Sequence, residues 1–396
     1  MWCFRLSGHR TERSLLSSRF IRSNRSPSSR LSTGPALLAV VAPIVISAVL
    51  MAPHGAAANS VPPFSQSPLY SVGIARCTFV DHSRHVVNYS TRPYSVYSPR
   101  RTLVTEIRYP TVRVSGGSSE LAGATPVQRT GGYPMIVFAH GYDVTPDIYK
   151  ALLDSWTSAG FVVVAPLFPD EQPSAVAAQH GVNTEGDLVN EPADIAFVTK
   201  EILLASAGTP AACPIVRGLV QASEIALAGH SDGATAVGML AYDHGIDPQG
   251  VNYSSLRTGI DYRAVMILSG DENTYQPFAN EISRPSLLIV HSLADQCNPI
   301  RNGVKFYDDV HQPNKWFLEL RSAHHLPPFD GADLSAFRAV AATSIRFLQM
   351  SLQGALESPS LVAYGSQQPS IARMFSGGQG PSLLNAPKLV PNCGLN

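Results

Sequence analysis

One stretch, Ser223-Glu224-Ile225-Ala226-Leu227-Ala228-Gly229-His230-Ser231-Asp232-Gly233-Ala234, constrains the fold of this chain more than any other. Residues 225–228 read as a short buried strand, and residues 234–240 as the start of a helix of small and apolar side chains. Between them Gly229 and Gly233 bracket Ser231. A strand that turns sharply into a helix through G-x-S-x-G leaves no room for side chains two positions before and two after the serine. The serine itself takes a strained backbone conformation, and its hydroxyl is thrown out beside main-chain N–H groups at a helix N-terminus. Ser231 is therefore the candidate nucleophile. The rest of the chain has to supply a sheet to carry it, a base and an orienting acid.

Apolar runs of strand length recur at 135–139, 161–165, 264–268, 287–291 and 316–320, separated by helical spacing over 146–159, 192–206 and 333–350. Runs apolar on both faces, alternating with helices, imply a mostly parallel sheet covered on both sides. Residues 77–81 and 103–109 read as opening antiparallel strands, 114–132 as a loop and 166–190 as a long polar excursion bordering the pocket. The expected division is a leader over 59–75, one α/β domain over 76–350 and a tail over 351–396. That tail, rich in Ser, Gly, Pro and Gln, is expected to wrap the surface.

Lys+Arg and Asp+Glu both number 29, so nothing in the charge balance suggests nucleic acid. The one basic concentration comes first: Arg5, Arg10, Arg13, Arg19, Arg22, Arg25 and Arg30 face a single acid, Glu12. An apolar run over 35–53 and then Ala56-Ala57-Ala58-Asn59 complete the order of a secretory signal, 1–58, with cleavage after Ala58. The run is nearly long enough to span a bilayer, so a membrane anchor is the alternative, and membrane association is expected only in that case. Removal of the signal takes Cys3 and leaves Cys77, Cys213, Cys297 and Cys393. Four cysteines allow three pairings and the sequence does not choose among them; a Cys297–Cys393 bond would tie the tail to the loops of the site. Their scatter is unlike the paired ligands of a zinc site, and no nucleotide or haem motif is present.

In such a sheet the acid and base fall on loops after later strands, in the order Ser, acid, His. Asp295 follows the run 287–291, with Asp271 after the preceding run as its rival. The loop after 316–320 offers His324 and His325. Oxyanion donors are expected from the loop after 135–139, where His140-Gly141-Tyr142 presents the Tyr142 N–H, and from the Asp232 N–H. The Asp232 carboxylate reads as a complement to the helix N-terminus, since an anion there would oppose a developing oxyanion.

Pro134-Met135-Ile136-Val137-Phe138-Ala139-His140-Gly141-Tyr142, Gly229-His230-Ser231-Asp232-Gly233, Asp295 and Ala323-His324-His325-Leu326 together resemble the α/β-hydrolase order. More closely, the chain resembles exported bacterial hydrolases grouped with chlorophyllases, platelet-activating-factor acetylhydrolases and polyester-degrading cutinases. The likeness extends to Thr78-Phe79-Val80-Asp81-His82-Ser83-Arg84 and to Glu191-Pro192-Ala193-Asp194-Ile195-Ala196-Phe197-Val198. In that group the base closes a G-A-x-H-like stretch, which Ser322-Ala323-His324-His325 fits with His325 as base and Ser322 in place of the glycine. The resemblance implies an α/β-hydrolase fold and a secreted monomeric serine esterase that acts on a small-molecule or lipid-like ester without a cofactor. Acyl transfer through the same acyl-enzyme, a lipase- or phospholipase-A2-like acetylhydrolase, and a non-catalytic envelope binding protein are the alternatives. Asp232, where polyester hydrolases usually carry methionine, argues against polyester activity, and Ser231 argues against a dienelactone hydrolase, which uses cysteine.

Overall fold

The computed structural model describes residues 64, 68–114, 120–179, 184–209, 213–247, 249–271, 285–355, 358–383 and 393. The expected signal 1–58 lies outside them. Among the described residues no helix is long and apolar enough to cross a membrane.

Twelve strands occur among the described residues: β1 Ser71–Asp81, β2 Val86–Asn88, β3 Ser95–Ser98, β4 Arg101–Thr111, β5 Leu121–Ala122, β6 Tyr133–Ala139, β7 Val162–Pro166, β8 Val220–His230, β9 Tyr262–Leu268, β10 Ser286–Ser292, β11 Lys315–Leu320 and β12 Ala372–Ser376. Ten of them form one sheet in the order β12-β11-β10-β9-β8-β6-β7-β4-β1-β5, while β2 and β3 make a separate hairpin. From β11 to β7 every neighbouring pair is parallel, and β4 and β12 join antiparallel on either side.

The strand runs are continuous in hydrophobicity because both faces are covered, and the pleat sends alternate residues to opposite sides. Met135 and Val137 enter the core beneath the helices Glu191–Ser206, Asp232–Tyr242 and Ile300–Asp309. Ile136 and Phe138 enter the other core, beneath Lys150–Ser158 and Leu334–Gln353. The chain therefore turns to one face after β6 and to the opposite face after β8, and these two strands are neighbours. Such a reversal opens a crevice at the carboxyl ends of the two strands.

The sheet reaches further along the chain than the sequence pattern indicates. β1 starts at Ser71, inside the expected leader, because Ser71 to Ala75 continue the ladder opposite Ile107 to Thr111. The tail does more than wrap the surface: Ala372–Ser376 pairs along Trp316–Leu320 as the outermost strand. Two disulfides, Cys77–Cys213 and Cys297–Cys393, close loops of 136 and 96 residues. Disulfides fit an oxidising compartment.

Candidate active site

Ser231 lies at the tip of the β8-to-helix turn with φ 56° and ψ −122°, a conformation costly for any residue with a Cβ. Its main-chain N–H donates to the Leu268 carbonyl at 3.0 Å, which fixes the turn against β9. A Cβ on Gly229 would collide with the main chain of Gly233 and Ala234, and one on Gly233 with the carbonyls of Ala139 and His140. Only glycine fits at either position, which explains the spacing in the sequence.

Asp295 and His325 come from the loops after β10 and β11 and meet: His325 Nδ1 lies 2.9 Å from Asp295 Oδ2. The other oxygen, Asp295 Oδ1, accepts from the main-chain N–H groups of Cys297 (3.0 Å) and Asn298 (2.9 Å). Burial pushes the Asp295 pKa up, but the hydrogen bond and charge of His325, with smaller help from His291 and the Asn298 N–H, hold it below the ordinary carboxylate value. Asp295 is thus an anion held in place at neutral pH. Asp271 is engaged elsewhere: its Oδ2 accepts from Asn302 Nδ2 at 2.9 Å and its N–H donates to Thr235 Oγ1 at 3.1 Å. His324 is exposed, whereas the His325 ring lies 4.6 Å, centroid to centroid, from the ring of His230, which precedes the serine. Among the described residues the Ser231 hydroxyl makes no hydrogen bond, to His325 included.

The loop after β6 passes directly over the serine, and a Cβ on Gly141 would lie 3.1 Å from Ser231 Cβ. Burial lowers the His140 pKa to about 4, the Gly141 hydrogen bond offsetting only part. Its neutral ring contacts the Gly141 carbonyl through Nδ1 (2.8 Å) and accepts the Phe168 N–H on Nε2 (3.0 Å), which holds this loop to the segment after β7. Among the described residues neither the Tyr142 N–H nor the Asp232 N–H has an acceptor. The Tyr142 hydroxyl accepts from Thr184 Oγ1 at 3.1 Å, which places the excursion 166–190 beside the site; its His180 lies outside the described residues.

Behind the same loop lies a group of acids that sequence reasoning misses. Glu171 and Glu191 are fully buried, and as carboxylates none of their four oxygens has a donor; Asp232 Oδ2 is likewise buried without a partner. Burial first, then the charges of Glu191 and Asp232, push Glu171 far above the ordinary carboxyl range, and burial does the same to Glu191. Asp232 is pushed up to about 7 by burial and by the charges of Glu185 and Asp271. Among the described residues no set of three or more His, Cys, Asp or Glu could hold a metal ion. Their raised pKa values favour the neutral acid form of these carboxyls.

Nearby acids are treated differently. Arg101, fully buried, binds Asp187 through Nη2 (2.6 Å) and Asp194 through Nη2 (2.7 Å), and Arg84 reaches Asp194 (2.5 Å) and Asp81 (2.8 Å). Asp81-to-Arg84 and Glu191-to-Val198, two stretches that carry the family resemblance, are thus joined by these ion pairs.

Residues 102–267, from β4 to β9, match the family model described as Chlorophyllase. Among solved structures, a ferulic acid esterase from Streptomyces cinnamoneus aligns with a TM-score of 0.57 at 18% identity, over 78% of this chain and 97% of its own. The chain has the α/β-hydrolase fold. No curated protein matches the sequence. In this fold the elbow serine, the loop after β6 and the Asp295–His325 pair all lie at the carboxyl rim, around the crevice between β6 and β8.

Proposed function

We propose that the chain is a secreted serine hydrolase of carboxylic esters. The observation that carries the reading is the Asp295–His325 hydrogen bond on the same rim as a serine in the left-handed conformation. In the proposed reaction the His325 ring, oriented through Nδ1 by Asp295, accepts the Ser231 hydroxyl proton on Nε2 as Oγ attacks the ester carbonyl. The negative charge that develops on the carbonyl oxygen is held by the N–H groups of Tyr142 and Asp232. Collapse breaks the acyl–oxygen bond, and His325 returns the proton to the departing alcohol. A water, deprotonated by the same ring, then cleaves the acyl-enzyme and releases the acid and free Ser231.

The family-model match to Chlorophyllase and the fold shared with a ferulic acid esterase support an ester as substrate. The two disulfides, with the basic-then-apolar leader ahead of them, support export. Ser231→Ala is expected to lower kcat on a p-nitrophenyl ester by about 10⁵–10⁶. A loss of only about twofold would remove the nucleophile and the reading with it.

A further inference from the structure

Three hydrogen bonds connect the loop after β6 to the loop after β11, passing through two side chains that the reaction itself does not use. The Gly141 N–H donates to the Tyr149 hydroxyl at 3.2 Å. That hydroxyl lies 2.8 Å from His230 Nδ1. His230 Nε2 lies 3.1 Å from the main-chain carbonyl of His325. Tyr149 is fully buried and His230 nearly so, with the Phe329 ring packed at a tilt, 4.8 Å between centroids, against the His230 ring.

The two ends of this chain fix every hydrogen in it. A main-chain amide only donates and a carbonyl only accepts. Nε2 of His230 must therefore carry its proton, Nδ1 must accept, and the Tyr149 hydroxyl must point its hydrogen at Nδ1. Burial, reinforced by the charge of His325, holds the His230 pKa well below the ordinary imidazole value, in keeping with one neutral tautomer. A second proton on His230 would face the Tyr149 hydroxyl and leave that hydroxyl's hydrogen without an acceptor.

We propose that Tyr149 and His230 are positioning residues that clamp the loop bearing the Tyr142 oxyanion donor to the loop bearing the His325 base. The two loops belong to non-adjacent strands, β6 and β11, so the sheet alone does not set their separation. The clamp rests on the ester-hydrolase reading, because it matters only if oxyanion donor and base act on one substrate.

The test uses the full chain with p-nitrophenyl acetate and a fluorophosphonate probe. Tyr149→Phe keeps the ring and removes both hydrogen bonds. His230→Leu removes both ring nitrogens, and His230→Gln keeps a donor for the His325 carbonyl. Misplaced loops slow the chemistry without weakening ground-state binding, so Tyr149→Phe and His230→Leu should lower kcat by about 10–100-fold with KM within about twofold. Labelling should still reach one probe per chain at Ser231, only more slowly, and His230→Gln should recover about tenfold over His230→Leu. Should His230→Leu fail to fold, Tyr149→Phe decides alone. Wild-type kcat in Tyr149→Phe, or equal kcat in the two His230 variants, overturns the clamp while leaving the esterase reading intact. Failure of the unaltered chain to label at Ser231 overturns both.

Discussion

Two carboxyl environments flank Ser231, and they are built in opposite ways. On the β10 side, Asp295 accepts two main-chain N–H groups and faces an imidazole, so burial does not prevent it from being an anion. On the other side Glu171 and Glu191 are covered without donors to their carboxylates, Asp232 has one buried oxygen without a partner, and all three are pushed towards the acid form. Asp295, Glu171 and Glu191 are all fully buried, yet they favour opposite charge states because only Asp295 is given hydrogen bonds to its ionised form. In the proposed reaction this separates the roles: a fixed anion where the base would be oriented, and groups that favour the neutral acid where a developing oxyanion would suffer from a charge. This resolves the difficulty that Asp232 poses in the sequence. Below about pH 7 it is mostly the neutral acid, which would not oppose the proposed oxyanion donors.

The largest effect should come from breaking the anionic side. Asp295→Asn leaves the shape intact but removes the charge and allows the wrong tautomer of His325, so kcat should fall by about 10⁴. Asp271→Asn, measured beside it, should change kcat by no more than about twofold, since Asp271 is bound to Asn302 and not to the base. Equal losses in the two variants would show that the acid has been misassigned.

A smaller effect should follow from the neutral side. Asp232, raised to about 7, ionises as pH climbs through that value and places an anion next to the oxyanion donors. The wild-type rate should therefore decline above about pH 7, and Asp232→Asn, which cannot ionise, should run about 3–10-fold faster than wild type at pH 9 relative to their ratio at pH 6. Parallel pH profiles would mean that the Asp232 carboxyl does not reach the transition state electrostatically.

The smallest effect concerns stability. An acid whose folded pKa is raised gives stability that is fully present below the unfolded carboxyl value and lost as pH rises towards the folded one. For Glu171 and Glu191 that decline begins near about pH 4.3 and continues up to their raised folded values. Glu191→Gln replaces one ionisable partner by a permanent donor. Its melting temperature should exceed wild type by about 3–8 °C at pH 8 and match it at pH 5. A gain that is the same at both pH values would assign the effect to packing.

Much of this rim was legible before any coordinates, for reasons that lie in local sterics. The elbow is readable because Gly229 and Gly233 are forced by main-chain collisions within five residues. Asp295 and His325 are readable as candidates because each follows an apolar run, and the structure brings them to 2.9 Å. The clamp is not readable, since Tyr149 and His230 lie 81 residues apart and each looks like ordinary packing in its own segment. Glu171 and Glu191 are hidden for the same reason: in the sequence they belong to a polar excursion and a helix start. Only the fold shows that they are buried side by side. The pairing of four cysteines is likewise a property of the fold, although the Cys297–Cys393 link already suits a tail held near the acid loop.

The outermost position of β12 has a consequence for how long such a molecule would last outside a cell. At one margin Leu121–Ala122 pairs with Gly73 and Ile74 of β1, and at the other, among the described residues, the tail pairs along Trp316–Leu320. A protease that removed residues 366–383 would bare a six-residue ladder of unpaired amides and carbonyls, ready to take up a strand from a neighbouring copy. Shelf life would then be set at the tail, far along the sequence from the serine, and clipped enzyme would be lost to aggregation while its catalytic groups were still in place.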